Sequence, residues 1–328
     1  MGIFYYYFKL DDDEEIRLED NTYTFEGLQK DDVHIVSVRV EGAAGNVSES
    51  QNKEVIVGVN AGRYILASAN PPTGETTDWT GGTSYYYTGK PNNWIQFARF
   101  YWRVIRINGD GSIRMIYQGT SANETGEGTQ IGTSTFNSSN NNKTYVGLVY
   151  DGTNQHGYGT NSAIMTTLHN WYNGNLASYE EQYIDTGIGF CSDRNMASGY
   201  NFNSSDIIYY AAYDRINVGA SLQCNSEDLL SKDNGKMPNS IGLLTSDEYV
   251  LAGNGNSYLD VGIDYWTMSP YYFENYGVAF VFVVYSGGGL IDYWGVDGIW
   301  GVRPVINLRS DIPITGSGTT SDPFRLVS

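Results

Sequence analysis

Basic residues are scarce in this chain of 328 residues, which has 19 Lys and Arg against 37 Asp and Glu. The net charge of −18 argues against nucleic acid and against an anionic membrane as partners, because binding phosphate needs an excess of positive charge. No run approaches the ~18 consecutive apolar residues of a membrane-spanning helix. The first residues lack a basic n-region, so we expect any export signal or anchor to have been removed or to belong to a partner.

Cysteine and histidine, the side chains that zinc sites most often use, number only 2 and 3. Two cysteines without a nearby histidine cannot complete a tetrahedral zinc site, so we expect no metal and no cofactor. Cys191 and Cys224 are candidates for a disulfide, with two buried free thiols in a cytosolic protein as the alternative. No spacing singles out a pair of catalytic carboxylates or a nucleophile beside a base, so we expect the protein not to be an enzyme.

Tyrosine and glycine are abundant, in contrast, with 28 and 39 residues, and only 17% of the chain is charged. This composition, rich also in Asn, Ser and Thr, is typical of extracellular β-rich proteins and predicts an extracellular location. A chain of 328 residues is long for one β domain, so we expect two domains, residues 1–59 and 60–328. Short alternating stretches with few helical patterns predict a mainly β fold with a few helices, an α+β organisation.

Four short stretches near the N-terminus alternate apolar and polar residues: 4–8, 21–25, 33–40 and 55–57. Because turn-rich segments separate them, they predict a small β-sandwich. The order Tyr23-x-Phe25-x-x-Leu28 before the 33–40 stretch resembles a fibronectin type III or bacterial Ig-like module, and such modules usually act as spacers or stalks. The acidic run 11–15 predicts a solvated loop, because consecutive carboxylates cannot all face one cation.

The second region begins with a hairpin signal. Two apolar stretches, 100–107 and 113–117, flank a turn sequence of Asn-Gly and Asp-Gly pairs, which suit the positive φ angles of a tight turn. Residues 126–142 are mostly Gly, Ser, Thr and Asn with few apolar anchors. This segment therefore predicts a long exposed loop.

Two helices are predicted from capping residues. The longer one is capped by Asn161 or Ser162 and has one apolar face. It carries His169, which we expect to be structural or at the surface, since no carboxylate or thiol pattern accompanies it. The shorter helix is predicted by a capping box, in which Thr245 and Glu248 exchange hydrogen bonds with each other's backbone amides.

Aromatic residues concentrate between 265 and 300, where 12 of 36 positions are Tyr, Trp or Phe against 14% in the whole chain. Within this window residues 279–286 form a strand pattern that is apolar on both faces. If the strand belongs to a sheet with one wet side, Phe280, Phe282 and Val284 or their neighbours are exposed and require a partner. An ordinary buried strand with aromatic packing is the alternative. Tyr, Trp, Gly and Ser together are also the composition of antibody paratopes.

Several longer strings of the second region carry a family resemblance: Asn-Asn-Trp-x-x-Phe at 92–97, Trp-Arg-Val-Ile at 102–105, Gly-Asp-Gly-Ser-Ile-Arg at 109–114, Phe-Cys-x-Asp-Arg at 190–194, Tyr-Trp-Thr-Met-Ser-Pro at 265–270 and Gly-Val-Arg-Pro-Val-Ile-Asn-Leu at 301–308. From about residue 86 to the C-terminus the chain resembles the C-type-lectin-fold variable proteins of diversity-generating retroelements, which occur in bacteria and their phages. The resemblance covers about three quarters of the chain, and the last two strings are its most specific parts.

In that family a reverse transcriptase copies a template with adenine-specific errors and rewrites Asn codons near the 3′ end of the gene, so that the altered side chains lie on the ligand-binding face. Randomising the adenines of an Asn codon cannot yield Lys, Glu, Gln, Met or Trp, and residues 271–300 contain no Lys, Gln or Met. Glu274, Trp294 and Trp300 depart from this rule, so we expect them to be fixed by the template. The resemblance predicts a variable region at about 271–300, with ligand contacts at Tyr271, Tyr272, Tyr276, Phe280, Phe282, Val284, Tyr285, Gly287, Gly289, Ile291, Asp292 and Tyr293.

The resemblance implies a diversified receptor-binding or adhesive protein at a bacterial cell surface or on a phage virion, with a protein or glycan ligand on a cell or phage surface. It does not imply calcium-dependent sugar binding, because the Glu-Pro-Asn, Gln-Pro-Asp and Trp-Asn-Asp strings of such lectins are absent. The flanking Arg303 is expected in a buried ion pair or against backbone carbonyls. Two alternatives remain: a fixed-sequence surface adhesin or carbohydrate-binding module, and an enzyme related to sulfatase-modifying oxidoreductases. The oligomeric state stays open.

Overall fold

The computed structural model of the chain describes residues 3–28, 32–56, 60–291 and 294–327. The chain divides into two compact units, and the division falls between Asn60 and Ala61, one residue beyond the expected boundary. Strands predominate over helices in both sequence coverage and number, which confirms the mainly β, α+β fold expected from the sequence. The two units are called the N-terminal unit and the C-terminal unit below.

The described part of the N-terminal unit contains the strands β1 (Ile3–Leu10), β2 (Ile16–Leu18), β3 (Val33–Gly42) and β4 (Gln51–Ile56). They form one antiparallel sheet in the order β2-β1-β3-β4. The acidic run 11–15 is an exposed turn between β1 and β2, as predicted. Its Asp11 accepts a hydrogen bond from the backbone amide of Ile35 at 2.7 Å, and Glu15 pairs with Arg39 at 2.5 Å, so the turn is tied to β3.

The two-sheet sandwich predicted for residues 1–59 is wrong for the described residues, because residues 21–25 form no strand. The ring of Tyr23 packs against Phe8 of β1 at a centroid distance of 6.0 Å and against Phe25 at 4.9 Å. The segment therefore covers the buried Phe8 with side chains rather than with a paired strand. Alternation of apolar residues cannot distinguish these two ways of covering a sheet. Val57, from the fourth predicted stretch, lies outside the described residues.

The C-terminal unit contains five α-helices among its described residues: α1 (Ala61–Leu66), α2 (Ala163–Asn175), α3 (Glu180–Tyr183), α4 (Ala212–Val218) and α5 (Ser246–Leu251). The strands before α4 are β5 (Gly74–Thr77), β6 (Thr83–Tyr86), β7 (Trp94–Phe97), β8 (Phe100–Ile107), β9 (Ile113–Gly119), β10 (Thr133–Thr135), β11 (Val149–Tyr150), β12 (Thr160–Asn161), β13 (Phe190–Cys191) and β14 (Ile208–Tyr209). The strands after α4 are β15 (Leu229–Leu230), β16 (Tyr265–Phe273), β17 (Ala279–Val284), β18 (Leu290–Ile291), β19 (Ile299–Gly301), β20 (Val305–Leu308), β21 (Ile314–Thr315) and β22 (Phe324–Leu326).

Two larger sheets organise these strands. The first has the order β20-β9-β8-β7-β22-β21, with β6 also on β8 and β5 on β6. The second has the order β10-β19-β16-β17-β18, with β14 on the end of β16. Both sheets place the last part of the chain beside much earlier segments: β22 pairs with β7, and β19 pairs with β10. The pairing is long-range, so the aromatic window and the middle of the chain form one core.

The local predictions for this unit are mostly confirmed. The hairpin is β8 and β9, α2 is capped by the hydroxyl of Ser162, and α5 starts with the expected reciprocal capping box. The predicted exposed loop 126–142 is wrong in part, because it contains a short 3₁₀ helix and β10. Its Phe136 is fully buried and packs on Trp266 at 5.6 Å. Phe136 and the pairing with β19 hold this segment in the fold, and the pairing is not visible in the local composition.

A buried cluster of three charged side chains joins the first sheet to α5. Glu248 of α5 accepts hydrogen bonds from Nε of Arg114 on β9 and from the backbone amide of Thr245 at 2.9 Å. Its Oε1 also lies 3.6 Å from Nη1 of Arg106 on β8, and all three charged residues are buried. Burial raises the pKa of Glu248, but the guanidinium groups of Arg114 and Arg106 lower it further, so the net shift is downward. The carboxylate is therefore ionised and serves two buried cations.

We expect Glu248→Gln to lower the free energy of unfolding of the C-terminal unit by about 3–5 kcal/mol, because Arg106 and Arg114 then stay buried without a counter-charge. Urea denaturation followed by far-UV circular dichroism measures the change. Glu181→Gln, at an exposed position of α3, is the matched control and should alter stability by less than about 0.5 kcal/mol. Similar losses in the two variants would contradict the role of the cluster.

His169 lies on the buried side of α2, so it is structural rather than at the surface. Neither ring nitrogen has a hydrogen-bond partner in the described part of the chain. Burial lowers the pKa of His169 to about 4, because a charged imidazole would lose its hydration and gain no partner in exchange. The ring is therefore neutral near pH 7 and packs as part of the core.

The low pKa of His169 predicts a pH dependence of stability. The unfolded chain protonates this imidazole near its ordinary pKa of about 6.5, whereas the folded protein does so only near pH 4, so stability falls as the pH decreases through this window. We expect His169→Leu to remove that part of the decrease. The measurement is Tm at intervals between about pH 7 and pH 5, above the range in which most carboxylates titrate. A variant with the same slope as the unmodified protein would show that another group is responsible.

Candidate ligand-binding surface

Strand β16 changes register at Pro270, and this change places two adjacent tyrosines on one face of the second sheet. Pro270 has no amide hydrogen for a neighbouring strand, and the pairing of β16 with β17 shifts on both sides of it. Tyr272 stacks on Phe280 with ring centroids 4.3 Å apart, and Tyr271 packs on Phe282 at 4.4 Å. Phe280 and Phe282 are two residues apart on β17 and share a face. Tyr271 and Tyr272 therefore contact the same face, although adjacent residues of a regular strand point to opposite faces.

A second segment of the chain adds three tyrosines to this face. Tyr209 on β14 is paired with Tyr272, and its ring lies 5.4 Å from that of Tyr272 and 5.7 Å from that of Tyr271. Tyr213 of α4 lies 4.4 Å from Tyr209 and 5.8 Å from Tyr271, and Tyr200 lies 5.1 Å from Tyr209. These rings are half-buried or exposed. We call Tyr200, Tyr209, Tyr213, Tyr271 and Tyr272 together the tyrosine face.

The contributions of Tyr200, Tyr209 and Tyr213 were not predicted. Their close spacing in the sequence is the one signal that could have singled them out, since Tyr210 lies among them as well. Tyr210 itself is buried, and its hydroxyl donates a hydrogen bond to the backbone carbonyl of Lys143 at 2.5 Å. It anchors β14 beneath the tyrosine face.

Ion pairs hold α4, and with it Tyr213, in place. Arg215 of α4 pairs with Asp247 of α5 at 2.8 Å and with Asp193 at 2.5 Å. Burial lowers the pKa of Arg215, but hydrogen bonds and charge from the two carboxylates raise it more strongly, and the net shift is upward. Rings that are fixed in this way lose little entropy when a ligand binds.

The prediction that Phe280, Phe282 and Val284 are exposed contacts is wrong. They are only 8%, 3% and 0% exposed, and β17 is buried along its whole length. The alternative of an ordinary buried strand with aromatic packing is the one observed. Tyr271 and Tyr272 cover the face of β17 that carries Phe280 and Phe282. Residues of β14 and α4 in turn cover part of these two tyrosines.

The tip of the β17–β18 hairpin combines an exposed aromatic ring with a structural turn. Tyr285 is exposed, and its backbone amide donates to the carbonyl of Gly289 at 2.9 Å. Gly288 and Gly289 have φ angles of 88° and 102°, a region that side-chain-bearing residues rarely adopt. A Cβ atom on Gly288 would also lie 3.0 Å from the carbonyl oxygen of Gly255. The positive φ angle of Gly289 gives it a structural role in the turn, whereas Gly287 has no such positive φ angle.

The remaining predicted contacts differ in exposure. Tyr276, in the turn between β16 and β17, is 88% exposed. Ile291 on β18 is half-buried and packs against the core. Asp292 and Tyr293 lie outside the described residues. The surface-accessible set is therefore Tyr271, Tyr272, Tyr276, Tyr285 and Gly287, with Ile291 at its margin.

Two tryptophans that we expect to be fixed form a separate apolar surface. Trp294 is exposed and lies 5.8 Å from Trp300 on β19, next to the exposed Ile299. Gly295, which follows Trp294, is bridged to Phe280 on β17. This pair of rings therefore lies beside the strand that supports the tyrosine face.

Cys191 and Cys224 form a disulfide with an S–S distance of 2.01 Å. Two ion pairs lie near Cys191 in the sequence: Asp193 pairs with Arg215, and Arg194 pairs with Asp228 at 3.1 Å. A cavity of about 10 Å³ lies beside Cys191. That volume holds about one water molecule.

Within the described ranges, no group of three or more His, Cys, Asp or Glu side chains is arranged to hold a metal ion. None of the described helices is both long enough and apolar enough to cross a membrane. Comparisons of the chain with protein-family models, with curated proteins and with solved structures find no match.

Proposed function

We propose that this protein is an extracellular recognition protein whose tyrosine face contacts a protein or glycan ligand. The observation that carries the proposal is the continuous contact among Tyr200, Tyr209, Tyr213, Tyr271 and Tyr272 at the surface of a buried aromatic floor. Tyrosine supplies a large contact area with few rotatable bonds and adds a hydroxyl for hydrogen bonding. The disulfide favours an oxidising compartment, which supports the extracellular location.

The finer proposal is that part of this surface is diversified, as in the retroelement variable proteins that the sequence resembles. Tyr271, Tyr272, Tyr276 and Tyr285 reach the surface, and tyrosine is among the residues that a randomised Asn codon can encode. Phe280, Phe282 and Val284 are excluded from the variable set, because changes at fully packed positions cost several kcal/mol, about 3–5 for Phe→Ala. The proposal therefore separates a fixed floor from changeable side chains above it.

A fixed-sequence adhesin is the second candidate, and one observation favours it. Tyr200, Tyr209 and Tyr213 lie outside residues 271–300, so more than half of the tyrosine face would stay constant even in a diversified protein. A constant aromatic surface suits a constant ligand. The two candidates share the same contact surface and differ in whether Tyr271 and Tyr272 vary.

Binding through the tyrosine face is tested on a printed array of bacterial and animal glycans and an array of purified bacterial surface proteins. For any array component that binds the full chain, we expect Tyr213→Ala and Tyr272→Ala to weaken binding by about tenfold or more, because central aromatic contacts dominate interfaces. Tyr158→Ala is the matched control, since Tyr158 is 56% exposed and lies outside the face. Equal effects of the three substitutions, or no binding by the unmodified protein to either array, would count against the proposal.

Diversification is tested by sequencing the gene and its flanking DNA in many isolates from one habitat. We expect substitutions at Tyr271, Tyr272, Tyr276 and Tyr285, opposite adenines of a nearby template repeat. Phe280, Phe282, Val284 and Gly289 should stay constant or apolar for the packing and turn reasons given above. An invariant 271–300 segment without a repeat or a reverse transcriptase gene would support the fixed adhesin instead.

A further inference from the structure

An open cleft of about 460 Å³ lies away from the tyrosine face, between the β7–β8 hairpin and the segments that follow β9 and α5. Its volume is in the range of small-molecule sites in proteins, roughly 300–1,000 Å³. None of its lining residues belongs to the tyrosine face. The residues that matter for its chemistry are Arg103, Lys90, Trp94, Tyr258 and a set of amide and hydroxyl side chains.

Arg103 is a buried cation without a counter-charge. It is 7% exposed, and no carboxylate of the described residues lies within salt-bridge distance of its guanidinium. Its Nε donates to Oδ1 of Asn93 at 2.5 Å and its Nη2 to the carbonyl of Pro91 at 2.9 Å. Its carbon centre lies 4.3 Å from the ring of Trp94 and 4.9 Å from that of Tyr258. Neutral oxygens and aromatic rings stabilise the charge only in part.

The third guanidinium nitrogen of Arg103, Nη1, is available to donate a hydrogen bond to a ligand. It has no hydrogen-bond partner in the described part of the chain, and it is not among the enclosed polar atoms, so it is accessible from the cleft. Burial is the main cause that lowers the pKa of Arg103 to about 10, and the charge of Arg303 adds to this effect. The group is still protonated at pH 7, and an anion in the cleft would stabilise this charged form.

Arg303 is a structural arginine of the same unit, and its hydrogen bonds can be compared with those of Arg103. Arg303 is also buried without a carboxylate partner in the described ranges. Of the two arrangements expected from the sequence, a buried ion pair or contact with backbone carbonyls, the second is therefore observed. All three of its guanidinium nitrogens donate hydrogen bonds, to oxygens of Thr129, Leu259, Tyr117 and Gln118. Arg103 makes two such bonds and opens to a cleft. The difference indicates that Arg103 has a role beyond packing.

The other lining groups favour an anion that also carries hydroxyl groups. Lys90 at the rim and Arg103 have no carboxylate within salt-bridge distance among the described residues, although two carboxylates elsewhere in the lining balance their formal charge. Asp260 also lines it, but its two oxygens already accept hydrogen bonds from Tyr249 at 2.5 Å and from the amide of Ser257 at 2.7 Å. Glu124 accepts a hydrogen bond from Ser121. Neutral hydrogen-bonding side chains complete the lining, those of Asn92, Asn123, Thr125 and Thr320.

We propose that this cleft is a second binding site, which takes an acidic sugar whose carboxylate pairs with Nη1 of Arg103. Guanidinium is the side-chain group best suited to a carboxylate, and the neighbouring amides and hydroxyls suit the hydroxyl groups of a sugar ring. Lys90 adds positive charge at the entrance. The site is independent of the tyrosine face, because the two share no residue.

The test is isothermal titration calorimetry of the full chain with D-glucuronate and with D-glucose, which differ only in the carboxylate at C6. We expect glucuronate to bind at least about tenfold more tightly than glucose at low salt, because the charged hydrogen bond to Arg103 is made by glucuronate alone. Acetyl-glutamate amide serves as a carboxylate without a sugar ring. Glucuronate binding no tighter than glucose binding, or no binding of either sugar at millimolar concentration, would overturn the proposal. Tighter binding of acetyl-glutamate amide than of glucuronate would overturn the assignment to a sugar and favour an acidic peptide.

Two variants locate the binding. Arg103→Gln should weaken glucuronate binding at least about tenfold and leave glucose unaffected. Because Arg103 also holds Asn93 and Pro91, Thr125→Trp is the second variant, which fills the cleft from its exposed rim and leaves the buried cation in place. Gln182→Trp, at an exposed position that does not line the cleft, is its matched control.

The outcomes separate this proposal from the proposed function. Folded Arg103→Gln and Thr125→Trp variants that bind glucuronate as tightly as the unmodified protein would overturn the cleft as the site. Tyr272→Ala should bind glucuronate normally while it loses its array ligand. A loss of glucuronate binding in Tyr272→Ala together with unchanged binding in Thr125→Trp would instead place the sugar on the tyrosine face.

Discussion

The carboxylate of Glu248, buried against Arg114 and Arg106, fixes the start of α5, and the two residues beside it extend this constraint in both directions. Asp247 pairs with Arg215 and so positions α4 and Tyr213. The hydroxyl of Tyr249 donates to Asp260 and accepts from the amide of Gly289 at 2.6 Å, which ties α5 to the β17–β18 hairpin. Because removing one partner of a buried ion pair is strongly destabilising, these contacts define one geometry for three parts of the unit.

In this arrangement the tyrosine face consists of fixed, buried side chains below and of surface side chains above, which can be substituted. Phe280 and Phe282 form the floor, and because they are buried, a polar substitute would lose its hydration and a much smaller one would leave a cavity. Tyr271 and Tyr272 lie on that floor because of the irregular register at Pro270. Side chains above such a floor can change with little cost to stability, since surface positions tolerate most substitutions. The same geometry serves a diversified or a constant binding surface.

The buried charges of the C-terminal unit differ from the net charge of −18, because buried cations and anions are about equally represented. Arg103, Arg106, Arg114 and Arg303 are among the buried cations, and Glu248 is the carboxylate that pairs with Arg106 and Arg114. The net charge therefore repels an acidic ligand at long range, and Arg103 and Lys90 attract it only at the cleft. Salt screens the long-range repulsion within about 10 Å at 0.1 M, so acidic sugars can approach the cleft at ordinary ionic strength.

The sequence by itself determined those helix starts and turns that depend only on adjacent residues. The capping box at Thr245, the cap at Ser162 and the β8–β9 hairpin could all be predicted, because a cap or a turn needs only a few adjacent side chains. The aromatic window could also be recognised as important, but not the exposure of its members. Only the tertiary structure determines that Phe280 and Phe282 are buried. Tyr271 and Tyr272 pack on them, and β14 and α4, which are distant in sequence, pack on these two tyrosines. The tertiary structure also decided that Arg103 is an unpaired buried cation, since the charge partners of a side chain are set by long-range packing and leave no trace in local sequence pattern.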